Sequence, residues 1–213
     1  MKKYWIALIA VIFIVSPLAA HAYESTSAQS LCNPKTAWLK MESRRLWAQH
    51  SHWTHDAIGA ILEDSPNKEA VMARLLRNQV DIGNWFKDFY GNISGDHVAD
   101  LLEEHVLIGS KVIEALGKDD KEAYQPAITA WYENSDELSR YLYSLNPDWN
   151  TETMRKLMDA HLELVEKQAA AHHAKNWDKV VSLTDKSEDH LLELADIFTK
   201  GVISQFPEKF QIQ

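Results

Sequence analysis

Three histidines recur at equivalent places in three similar stretches of this chain. Leu46-Trp47-x-x-His50-x-x-Trp53-Thr54 aligns with Leu101-Leu102-x-x-His105-x-x-Ile108-Gly109 and with Leu157-Met158-x-x-His161-x-x-Leu164-Val165. The histidines follow one another at intervals of 55 and 56 residues. Each has apolar residues at −4, −3 and +3, which places it on the buried stripe of a helix. A buried polar group without a partner costs about 1–3 kcal/mol, so each imidazole needs one. Candidates stand 27 to 29 residues further on: Asn78, Asn134 and Glu188, with Asp185 one turn before Glu188. Asp81, Asp136 and Asp189 lie nearby as second choices.

Three neutral imidazoles and a carboxylate from Glu188 or Asp185 would suit a divalent transition ion, with Zn, Fe and Mn all chemically compatible. Asn78 and Asn134 would then orient the rings from behind. The same residues also suit a second role, a polar network that fixes helix register and binds nothing. Familiar metal patterns are absent. A ferritin-like Glu-x-x-His is excluded because Trp47, Leu102 and Met158 stand three before the histidines, and there is no His-Glu-x-x-His or Cys-x-x-Cys-His. His52 and His55 lie off the stripe and read as solvated rather than ligating, and His172-His173 near a helix end fit either role. No Walker-type loop, Gly-x-Gly-x-x-Gly or Gly-x-Ser-x-Gly occurs.

The elements that must position these residues read as helices. Seven glycines and six prolines punctuate the chain, and the helical period runs from Ala37 onward. Asn33-Pro34 starts a first helix, which ends at about Glu63 before Ser65-Pro66-Asn67. A second runs to Tyr90 before Gly91, and a third, capped by Asp96, ends at Gly117. The fourth covers about Lys121 to Leu145, the fifth, capped by Thr151, ends near Asn176, and the sixth ends before Pro207. The expected fold is all-α, one bundle of six helices in three antiparallel hairpins with an internal repeat. Tryptophans 38, 47, 53, 85, 131 and 177 sit at core spacing along these helices.

Composition bounds the rest. Lys2-Lys3, the apolar run Trp5–Val15 and Ala20-x-Ala22 predict a signal peptide over 1–22, a flexible leader over 23–33 and a single helical domain over 34–213. The expected location is periplasmic or secreted, with no membrane association after cleavage. Losing Lys2 and Lys3 takes the formal charge from −9 to −11, which argues against nucleic acid as a partner. A lone cysteine, Cys32, cannot pair within the chain.

The repeated Leu-Trp-x-x-His-x-x-Trp-Thr element resembles a family of bacterial, often exported, all-helical proteins. Further matching elements are Arg74-Leu-Leu-Arg-Asn78-x-x-Asp81, Trp131-Tyr-x-Asn134-x-Asp136 and Gln205-Phe-Pro-x-Lys-Phe210. Together they cover nearly the whole chain after residue 22. The resemblance implies one exported helical domain. Members carry labels such as acetylglutamate kinase or glycosyltransferase, but a kinase needs a nucleotide cradle that this sequence lacks. The expected function is therefore divalent metal binding through His50, His105, His161 and Glu188. The alternative is a non-enzymatic envelope protein whose polar core only fixes the fold.

Overall fold

A computed structural model describes residues 33–211. The expected signal peptide, almost all of the leader, and Cys32 lie outside the described residues. Five α-helices account for most of the described chain: α1 Pro34–Leu62, α2 Lys68–Gly117, α3 Lys121–Leu145, α4 Thr151–His173 and α5 Trp177–Gln205, followed by a 3-10 turn at Pro207–Phe210. There is no strand among the described residues, in keeping with the expected all-α class.

Five helical runs stand where six helices were expected, and the long α2 run is kinked at Gly91, whose backbone is not helical (φ 81°, ψ 167°). That combination belongs to a region open essentially to glycine alone. The chain turns sharply enough for the two halves of α2 to touch. A Cβ placed on Gly83 would stand 2.6 Å from the Gly95 carbonyl oxygen and 2.7 Å from Ala99 Cβ. Asp96 caps no helix and instead pairs with Lys87 at 2.5 Å.

Local sequence explains the other boundaries. The Asn33 side chain accepts from the Lys35 amide at 2.9 Å, with Pro34 in the first turn. Asp120 accepts from Glu122 and Ala123. Asn150, not the expected Thr151, caps α4 through the amides of Glu152 and Thr153. α4 stops at His173 rather than near Asn176, and Asn176 caps α5 instead.

The same turn ends α1, α2 and α4. Asp64, Asp119 and Lys175 have φ of 46°, 54° and 54°, and each lies fourteen residues after His50, His105 or His161. The following amides of Ser65, Asp120 and Asn176 reach back to the carbonyls of Ala60, Ala115 and Ala171, each at 2.9 Å. This is the 6→1 bond of a Schellman motif.

In the bundle, α1 packs on α2 and α5, α3 joins α2 to α4, and α4 also meets α1 and α2. Two large apolar cores result, with two smaller clusters about Leu75 and Leu183. One contains Leu46, Trp47, Phe86, Leu101, Leu102, Trp149, Met158 and Phe198. The other contains Ile58, Ile61, Val112, Ile113, Trp131, Leu162 and Val165. Among the expected core tryptophans, 47, 85 and 131 are buried, whereas Trp38 and Trp177 are about half exposed (54% and 51%). The most buried, Trp149, comes from the α3–α4 connection and lies against Gly201.

Candidate functional site

Each of the three histidines divides its helix between the two cores. Leu46 and Trp47 precede His50 in one core, and Ile58 and Ile61 follow it in the other. Leu101 and Leu102 stand in the same relation to Val112 and Ile113 about His105, as does Met158 to Leu162 and Val165 about His161. The imidazoles therefore form a polar layer inside an apolar molecule. His50, His105 and His161 are each 3% exposed. Ring centres lie 5.6 Å apart between His50 and His161, and 6.1 Å apart between His105 and His161.

Burial keeps all three neutral, because a charged imidazole loses its hydration there. His50 is pushed down to about 3, by desolvation first and by the neighbouring His105 second. His105 is pushed down to about 4 by desolvation, which its bond to Asn134 partly opposes. His161 falls well below its ordinary value through desolvation, then through His50, His105 and His190.

Their partners follow a repeated scheme. His105 Nδ1 stands 2.8 Å from Asn134 Oδ1, so Nδ1–H donates and Nε2 keeps a free lone pair. His50 Nδ1 lies 3.2 Å from the Gln79 amide nitrogen, which also donates to the Leu75 carbonyl at 2.7 Å. A further contact recurs in all three units. Asn78 donates to the Leu46 carbonyl at 3.1 Å, Asn134 to Leu101 at 3.2 Å, and His190 Nε2 lies 2.8 Å from the Leu157 carbonyl. In each case the acceptor is the residue four before the histidine.

The three expected histidines thus come together, while the expected carboxylates do not join them. Glu188 and Asp185 are exposed on α5, and Ser187 occupies the buried position between them. One residue of helix is about 100° of rotation, so an inward Ser187 turns Glu188 away from the layer. Asn134 meets its histidine as expected. Asn78 is fully buried, donates to the Leu46 carbonyl and also interacts with His50, where its bond partly opposes the desolvation, and Gln79 is a second amide beside that ring. Sequence reasoning missed Gln79 and His190. Both lie 29 residues beyond their histidines, the same interval that joins His105 to Asn134.

A cavity of about 30 Å³ is bordered by all three imidazoles and by Trp131, Gly109 and Ser110. That is room for about two water-sized groups. Around it are buried polar atoms with no partner: His105 Nε2, His161 Nδ1 and Trp131 Nε1, with Gln79 Oε1 beside His50. Native interiors rarely leave so many such atoms together. As the side chains stand, no three His, Cys, Asp or Glu among the described residues are grouped to hold an ion.

Of the outlying histidines, His55 Nδ1 meets Thr184 at 3.2 Å and His172 lies 3.5 Å from Glu63. His52 and His173 sit at the surface beside Asp56 and Asp119. No family model matches the chain, and no curated protein or solved structure matches it.

Proposed function

We propose that the protein binds one divalent transition ion, Zn, Fe or Mn, through His50, His105 and His161, in a domain built from three repeated helical pairs. The observation that carries this reading is the set of neutral imidazoles bordering one cavity, two of them with an unpartnered ring nitrogen. Imidazoles sharing a tetrahedral ion at about 2.0–2.1 Å have ring centres roughly 5 Å apart. The observed 5.6 and 6.1 Å are therefore within reach of side-chain rotation. His105 is already oriented by Asn134, with Nε2 free. For His50 to offer Nε2, its ring proton must move to Nδ1, which now lies 3.2 Å from the Gln79 amide nitrogen. Glu188 and Asp185 take no part in this site.

The test is a set of thermal melts with chelator, Zn, Mn and Fe, alongside metal content after purification without an affinity tag. Ion at about 100 times its dissociation constant stabilises the fold by roughly 2.7 kcal/mol. At about 2–4 °C per kcal/mol, the melting point rises by roughly 5–11 °C. His105→Leu abolishes that rise. Wild-type protein that carries no ion and melts identically in every condition overturns the reading.

A second reading is favoured by the three side chains that donate to the carbonyls of Leu46, Leu101 and Leu157. In it the polar layer only fixes register, as in a non-enzymatic envelope protein. His105→Leu then strands Asn134 and costs about 1–3 kcal/mol whatever metal is present. On either reading we propose export, supported by Lys2-Lys3, the apolar run and Ala22. Intact mass of protein from the envelope fraction should show a start near Tyr23, and retention of Met1 there counts against it.

A further inference from the structure

The polar layer leaves unused hydrogen-bonding groups of complementary kinds. His105 gives Nδ1–H to Asn134, so its partnerless Nε2 carries a lone pair and can only accept. Trp131 Nε1–H, equally partnerless, can only donate. The two side chains are each 3% exposed, border the same cavity and have ring centres 5.3 Å apart. The indole is held against the layer because residue 109 is glycine: a Cβ there would stand 2.8 Å from Trp131 Cζ2 and 3.3 Å from Nε1. One oxygen that donates to His105 and accepts from Trp131 would satisfy both groups.

A hydroxyl does both, whereas a carbonyl or ether oxygen cannot donate. A charged group is unsuited to the place. No Asp, Glu, Lys or Arg lines the cavity, its three imidazoles are neutral, and an uncompensated buried charge is strongly unfavourable. The rest of the wall is mainly apolar, from Ala57, Ile61, Leu75, Val106, Ile113 and Val165. The space of about 30 Å³ holds about two water-sized groups. A water at the polar side finds partners, but a second beside the aliphatic wall lacks the two to four that a buried water needs. A methyl or methylene group needs none.

We infer that the cavity is a binding site for a short neutral alcohol of about three heavy atoms. Its hydroxyl donates to His105 Nε2 and accepts from Trp131 Nε1–H, and its carbons lie against the aliphatic wall. Part-buried Thr54, Met72 and Ser110 at the cavity edge form the route of entry. The alcohol occupies the metal-free layer, so this inference does not rest on the ion reading above.

The experiment titrates ethanol, then acetate, into isotopically labelled protein in chelator and follows the tryptophan indole N–H signals by NMR. The signal of Trp131 is identified by its loss in Trp131→Phe. A ligand this small binds no tighter than about millimolar. Ethanol should shift the Trp131 signal saturably in that range, and acetate, of similar size but charged, should leave it unmoved. His105→Leu, which removes the acceptor, should weaken ethanol by about three- to ten-fold. Ala57→Val, which takes up space in the cavity, should weaken it in the same way and stands in if His105→Leu does not fold. A Trp131 signal that ignores ethanol up to about 100 mM shows water alone in the cavity and overturns the inference. So do acetate binding as tight as that of ethanol, and equal ethanol affinity in wild type and variant. Because chelator is present throughout, each of these outcomes leaves the ion reading to its own test.

Discussion

Asn134 holds two groups at once, accepting from His105 Nδ1–H and donating to the Leu101 carbonyl. Asn134→Ala removes both bonds inside a buried layer, so urea unfolding should show a loss of about 1–3 kcal/mol. The variant should also weaken metal-induced stabilisation if Asn134 orients the ring for an ion, because such supporting bonds matter for affinity. The histidines and Asn134 were legible because their apolar neighbours recur at fixed offsets. Glu188 misled because Leu192 and Ala195 follow it at helical spacing; Ala195 is indeed buried, but Leu192 is only part-buried, and Ser187 and Leu191 hold the buried positions one residue earlier. Serine carries too little hydrophobic signal to mark a core position, so the phase of α5 was read one residue late. Gln79 was hidden for a related reason: it is adjacent to Asn78, and both are fully buried.

Among the elements, α2 carries the sharpest bend. Gly91 was legible as a break, and the backbone leaves helical geometry there. A Cβ at Gly91 meets nothing within 4 Å, whereas one at Gly83 meets the Gly95 carbonyl. The two positions therefore separate backbone strain from crowding. Gly91→Ala should cost about 1–3 kcal/mol through its φ alone. Gly83→Ala should cost about 1–3 kcal/mol through overpacking between the two halves of α2. Denaturant melts give both values. Only Gly83→Ala should also disturb the Lys87–Asp96 pair, so a further Asp96→Asn change should cost less there than in wild type. The cap Asn33 was legible from residue type. The exchange of Thr151 for Asn150 reflects two adjacent residues that are both good caps.

At the scale of the molecule, the histidine layer couples folding to pH. Its members bind protons near 6.5 when unfolded, but His50 only near 3 and His105 near 4 when folded, with His161 also well below its ordinary value. The unfolded chain therefore holds more protons between those limits, and stability falls as pH drops below about 6.5. Three such groups give a slope of roughly 4 kcal/mol per pH unit. Total stabilities run to about 5–15 kcal/mol, so the fold should be lost between about pH 5 and pH 3. Denaturant melts followed by circular dichroism from pH 7 to 4 check this, and His105→Leu should flatten the slope by about a third. A slope no steeper in wild type than in His105→Leu would show that the imidazole is not held neutral. Nothing in composition foretells this property, since three surface histidines would contribute the same letters and no slope.

The two ends of the described chain meet. The Asn33 amide donates to the Phe210 carbonyl, and Lys35 Nζ reaches the carbonyls of Lys209 and Gln211 at 3.3 and 3.2 Å. Further along the same seam, Arg44 grips Asp196 through two bonds of 2.7 and 2.6 Å. The order in which the helices are strung is thus separable from the way they pack. A circular permutant that joins residue 211 to residue 33 by a short glycine-serine linker, and opens at the exposed Lys118–Asp120 turn, should fold to the same bundle. Its melting point should lie within several degrees of the parent, and its metal response should be unchanged, because no histidine changes neighbours. Moving the new ends to the bend at Gly91 should be harsher, because that cut lets the two halves of α2 part where Gly83 and Gly95 meet.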